Sequence, residues 1–166
     1  MVLGLYIRKP SVSEMKPENY YEELLHANLN LLTAQIKAHP ETEFYIFIPP
    51  YSMMWWDNIY REGDTDAYLY NMEKAMETLL GFENVTLSYF QNDREVITNL
   101  ENYMDILHFS PDINLYICES LKKGTHQVTK DNYMESLKDM RSLADEIVNK
   151  LIKPYEDKIK VDLYDH

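Results

Sequence analysis

The sequence predicts an α/β domain with a small parallel sheet, and three observations carry that prediction. Two short apolar, β-rich runs occur, Phe44-Tyr45-Ile46-Phe47-Ile48 and Val85-Thr86-Leu87-Ser88-Tyr89-Phe90. Stretches with apolar residues at helical spacing lie before, between and after them. Prolines, glycines and capping residues mark the borders, as in a parallel sheet covered by helices. With 166 residues, 45% of them hydrophobic, and no repeat or linker, the chain predicts one domain over 1–166 that needs no disulfide or metal to hold it.

Residues 2–7 are a short apolar run, a possible strand ended by Pro10. Pro17 opens a helix over 17–38, at a position where proline is tolerated. Its inward face is Tyr21, Leu24, Leu25, Leu29, Leu32 and Ile36. The run over 43–49 is continuous in aromatic and β-branched residues, which predicts a strand buried on both faces, stopped by Pro49-Pro50. Met53, Met54, Trp55 and Trp56 follow, a cluster expected to plug the end of the sheet. With Tyr51 and Ser52, the two tryptophans are also candidates for lining a substrate pocket.

Asp64, Thr65 and Asp66 offer caps for a helix over 66–80 that turns Leu69, Met72, Met76, Leu79 and Leu80 inward and stops at Gly81. Residues 84–90 form the second core strand, and 91–102 a polar loop broken by Val96-Ile97. Ser110-Pro111-Asp112 supplies a cap, a first-turn proline and a first-turn acid for a helix over 111–122. This helix faces inward through Ile113, Ile117 and Leu121 and ends before Gly124. From about 130 to 153, Tyr133, Leu137, Met140, Ala144, Ile147 and Leu151 recur at spacings of 4,3,4,3,4, which predicts a helix packed on its own domain rather than a coiled coil. Pro154 ends it, and 154–166 is expected to be an irregular or lightly docked tail.

The net charge of −12 repels nucleic-acid phosphates and anionic lipid, so neither is an expected partner. No GxGxxG or GxxxxGK[ST] string occurs, which removes those routes to nucleotide binding, and no cofactor is expected. Cys118, the one cysteine, falls in a helical apolar pattern that predicts a small buried thiol. No stretch reaches the roughly 20 apolar residues of a membrane span. At the N-terminus the apolar run precedes the positive charges, the wrong order for a signal peptide, so the chain as it stands is expected in the cytoplasm.

Chemistry concentrates in Asp105-Ile106-Leu107-His108-Phe109-Ser110-Pro111. A carboxylate three residues before an imidazole can fold back to accept its Nδ1–H, leaving Nε2 to take a proton from a nucleophile. Asp105 and His108 are therefore the candidate catalytic pair. His126, beyond the Gly124 stop, is a conceivable third group for a metal site with them, though no metal is expected.

The order of helix, strand ending in Pro-Pro, helix, strand, polar loop, D-x-x-H and Ser-Pro-capped helix resembles the C-terminal half of SGNH/GDSL-type hydrolases. The stretches Ile48-Pro49-Pro50-Tyr51-Ser52 and Asn99-Leu100-Glu101-Asn102-Tyr103 look like those of membrane-anchored bacterial SGNH-like proteins of the cell envelope. The resemblance covers residues 17–153 and implies part of a three-layer α/β/α, flavodoxin-like sheet. It also implies that Asp105 and His108 are the acid and base of a Ser-His-Asp triad. Ester-bearing carbohydrate is the substrate class it implies, and a full-length parent would be extracytoplasmic and membrane-anchored.

The family's Gly-Asp-Ser nucleophile block is missing, and Gly4 is followed by Leu5-Tyr6. No Gly-x-Asn-Asp block precedes the first helix, and Asn92-Asp93 comes too late in the order to replace it. Ser52 follows the wrong strand to serve as nucleophile. The expectation is a truncated or degenerate hydrolase or O-acyltransferase domain, inactive alone because its base has nothing to activate. The alternative is a non-catalytic binding or self-association module. Loss of the fold's central first strand would leave an exposed edge, which predicts a homodimer joined edge to edge or through displaced helices, unless residues 2–7 fold back to cap that edge.

Overall fold

Strands β2 (Phe44–Ile48) and β3 (Val85–Tyr89) pair in parallel over their whole length, from Phe44 opposite Val85 to Ile48 opposite Tyr89. The computed structural model describes residues 2–162, the side chain of Leu3 excepted. A short strand that the sequence did not reveal, β4 (Gln127–Val128), adds antiparallel to β3, so the strand order is β2-β3-β4. Helices α1 (Glu22–Ala38), α2 (Met53–Arg61), α3 (Thr65–Leu79), α4 (Arg94–Thr98), α5 (Pro111–Lys123) and α6 (Tyr133–Glu146) surround it. Helix α6 continues into a π-turn over 147–151 before the Pro154 break. No helix among the described residues is long and apolar enough to cross a membrane.

Successive strand residues point to opposite faces. Leu87 and Tyr89, with the partly buried Phe44, Ile46, Ile48 and Val85, join the larger core, which also holds Leu69, Met76, Met140 and Ile147 from α3, α6 and the π-turn. The 4,3,4,3,4 pattern of α6 is thus spent on this domain's own core. On the other face, Phe90 starts a smaller cluster with Val96 of α4 and Ile113 and Ile117 of α5.

Strand β2 departs from expectation. It is not buried on both faces, because Tyr45 is 61% and Phe47 40% exposed. The reason is placement: β2 is the edge strand, and the smaller cluster gathers around Phe90, beyond the end of β3, rather than over Tyr45 and Phe47.

The chain ends also differ. Val2–Gly4 form a 3-10 turn, and only Ile7–Arg8 make a strand, β1. β1 pairs in parallel with β5 (Lys160–Val161), so residues 2–7 do not cap the β2 edge. The tail is docked through a 3-10 helix over Lys153–Lys158 and this strand pair; residues 163–166 lie outside the described residues. Its anchor is Asp57, fully buried on α2, which accepts from Tyr6 Oη at 2.7 Å, Arg8 Nε at 2.8 Å and Arg8 Nη2 at 3.0 Å.

Helix α1 is shorter than expected and turns Leu25, Leu29, Thr33 and Ile36 inward, while Leu24 lies on its exposed side and Leu32, at the rim of the inward stripe, is 37% exposed. Cys118 is exposed rather than buried, because α5 covers only a small cluster and its remaining faces are open to solvent. After α2, Gly63 has φ 74°, and a Cβ there would lie 2.2 Å from the Glu14 carbonyl oxygen. Only glycine fits that approach.

Candidate functional site

The segment Tyr103–Phe109 is a closed loop. Tyr103 and Phe109 form an antiparallel bridge, Met104 N–H donates to His108 O at 2.8 Å, and Ser110 N–H donates to Asn102 O at 2.7 Å. Two further contacts fasten it to the turn after β2. Tyr103 Oη donates to Pro50 O at 3.0 Å, and Ser52 Oγ donates to Ile106 O at 2.8 Å. The loop is therefore held at the carboxyl end of β2, the edge at which open α/β sheets collect ligands.

Inside this loop Asp105 Oδ1 accepts the backbone N–H of Leu107 and of His108, both at 2.8 Å. Its other oxygen, Oδ2, lies 2.7 Å from His108 Nδ1. The His108 amide, with the Leu107 amide and the imidazole in support, holds the carboxyl down at about 2. Asp105 is therefore ionised at neutral pH and can only accept, so Nδ1 must carry the hydrogen. The sign of the linkage follows: a depressed carboxyl favours the folded loop above its unfolded value of about 4, and that contribution fades as pH falls toward 2. His108 Nε2 has no hydrogen-bond partner among the described residues, and the side chain is 75% exposed.

The imidazole stands on the rim of an open groove of about 620 Å³. Its walls are Phe47, Pro49, Tyr51, Leu107 and Phe109, with Asn114 as a polar point. Of the residues named as pocket candidates, Tyr51 lines this groove while Ser52, Trp55 and Trp56 do not. Ser52 is fully buried; it caps α2 by accepting from Trp55 N–H and gives its own hydrogen to Ile106. Its role is to position the loop, and its oxygen is turned away from attack. Trp55 packs at a tilt on Tyr51, 4.7 Å between ring centres, and both tryptophans meet Tyr68 edge-on, an aromatic plug joined to the groove through Tyr51.

His126 belongs to a different constellation. Its Nε2 lies 3.3 Å from Asp93 Oδ2 and 3.1 Å from Tyr116 Oη, and Tyr116 Oη donates to Asp93 at 2.5 Å. Contacts from His126, Tyr116 and the Val96 amide outweigh burial and hold the Asp93 carboxyl below its usual range. Burial first, and then the Asp93 carboxylate, push the Tyr116 hydroxyl up to about 12. Asp93 therefore accepts from both neighbours, while His126 Nδ1 is satisfied by Thr125 Oγ1 at 3.2 Å. The ring also stacks on Phe90 at 4.5 Å. Both nitrogens are occupied, so the conceivable Asp105–His108–His126 metal site is not formed. No group of three His, Cys, Asp or Glu residues suited to a metal ion occurs among the described residues.

Sequence reasoning missed the Asp93–Tyr116–His126 knot. Asp93 at a helix start was a legible signal, but nothing local announces that Tyr116, twenty-three residues on, folds back onto it. The chain matches no known protein family, no curated protein sequence and no solved structure.

Proposed function

We propose that this chain supplies the acid–base half of an SGNH-type acyl-transfer site, with His108 as general base and Asp105 as the group that orients it. The observation that carries this reading is the Asp105–His108 contact at 2.7 Å, combined with an open Nε2 on the rim of an apolar groove. In the reaction, Nε2 would take the proton from an attacking hydroxyl as its oxygen bonds to the acyl carbon. The same proton would then pass to the departing alkoxide. The groove suits the acyl part of an ester, and an ester-bearing carbohydrate of the cell envelope is the substrate class we propose from the family likeness.

The nucleophile is the missing part. Among the described residues no serine, threonine or cysteine lines the groove, and the Ser52 hydroxyl is committed to Ile106. We place the absent serine on a further strand pairing along the open side of β2, within a fuller three-layer α/β/α sheet. A second reading, a non-catalytic module that binds or self-associates, is supported by that same open edge and by the exposed Tyr45 and Phe47.

The purified chain is expected to hydrolyse short acyl esters no faster than its His108→Ala variant. Turnover that vanishes on Ser52→Ala would overturn the incomplete-site account. A positive arm supplies a nucleophile in the groove. The Asn114→Cys thiol should be acylated by an activated ester about tenfold faster with His108 than with alanine at 108. Equal rates would favour the non-catalytic reading.

A further inference from the structure

Helix α1 carries its acidic and basic side chains, Glu22, Glu23 and Lys37, only at its two ends, although the chain as a whole is acidic. Between Glu23 and Lys37 it contains no Asp, Glu, Lys or Arg over residues 24–36. Burial does not account for this, since only Thr33 and Ile36 are buried, whereas Leu24 is 60% and Leu31 72% exposed. Depletion of charge on an exposed face is the composition of a protein–protein contact.

The exposed residues are also ordered. Leu24, Ala27, Leu31, Ala34 and Ala38 recur at spacings of 3,4,3,4 on the face opposite Leu25, Leu29 and Ile36, and all five are exposed. That spacing forms a seam of the kind by which two helices pair. We infer that this seam is the contact with a second copy of the chain, the two α1 helices lying antiparallel about a two-fold axis that crosses the seam at the level of residue 29.

The register explains the residue types. With the axis there, Leu24 meets Ala34 of the second copy and Ala27 meets its Leu31, so every layer sets a large residue against a small one. Glu23 falls beside Lys37 of the second copy, and symmetry repeats the pair at the other end. Asn28 and Asn30 face their own counterparts as uncharged flanks. A parallel pairing would stack alanine on alanine, leaving gaps, and would set Glu23 and Lys37 far apart.

At about 25 Å long, one helix pair covers less than a standard interface, so a dimer dissociating in the micromolar range is expected. This contact is independent of the Asp105–His108 pair.

Sedimentation equilibrium from about 1 to 300 μM, spanning that range, tests it. The mass should rise from 19.8 kDa toward twice that value. Leu31→Glu, at an exposed position that circular dichroism should report as folded, should weaken association at least about tenfold. Glu23→Lys or Lys37→Glu alone should weaken it, and the two together should restore it. Tyr45→Glu on β2 should change nothing. A mass of 19.8 kDa throughout, or a dimer indifferent to Leu31→Glu, would overturn the inference. So would a dimer lost through Tyr45→Glu while the α1 variants behave as wild type.

Discussion

Replacing Asp57 with alanine is expected to destabilise the protein by about 3–5 kcal/mol, the usual cost of removing one partner from a buried ion pair. Asp57 is fully buried and Arg8 is 8% exposed, so the attraction acts where water screens it poorly. The carboxylate receives Tyr6 and two nitrogens of Arg8, and Arg61 Nε stands 3.4 Å away. Without it, two guanidinium groups share a poorly solvated place, where the exposed Glu156 at 2.9 Å from Arg8 is the remaining carboxylate and the Lys9 carbonyl, 2.8 Å from Arg61 Nη1, offers a neutral acceptor. Because Arg8 lies on β1, which pairs with β5, the loss should also free residues 160–161. Urea unfolding gives the energy and amide exchange the location. A loss below about 1 kcal/mol would mean that the ion pair only balances its desolvation.

Phe90→Ala should cost a similar amount, about 3–5 kcal/mol, through lost burial and the cavity left behind. Phe90 is fully buried, stacks on His126, and touches Tyr116 and Phe47 edge-on. It is the centre of the cluster that holds α5 to the sheet, and Phe109 of the groove packs against that cluster. The His108 resonances should therefore shift although Phe90 does not touch that ring. A folded variant with unchanged stability would show that α5 is held by other contacts.

The sequence made the parallel pair of strands legible because their apolar runs and the α3 pattern between them are local, whereas α2, which also lies between them, reads only as an aromatic cluster. It also made the Asp105–His108 contact legible, since three residues of loop are enough for a carboxylate to turn back on an imidazole. Edges were hidden. Phe44–Ile48 reads as a two-sided strand, yet whether a strand is central or peripheral depends on what pairs beside it, and no residue of β2 records that. The short strands β1, β4 and β5 span two residues each, too few for any periodicity to show. Helix α1 misled in an informative way. Its leucines lie on two faces, and only one faces its own core.

The claim on which the functional account rests is that His108 is held as a base with Nε2 unprotonated. Nitrogen-15 spectroscopy of the imidazole at mildly alkaline pH tests this directly. The account predicts a protonated Nδ1 and a bare Nε2 in the wild type, with Asp105 remaining ionised on acidification until pH nears 2, and reversion toward the Nε2–H form in Asp105→Ala. A wild-type spectrum with Nε2 protonated, unchanged by Asp105→Ala, would contradict it and leave the pair as a loop fastening without a base.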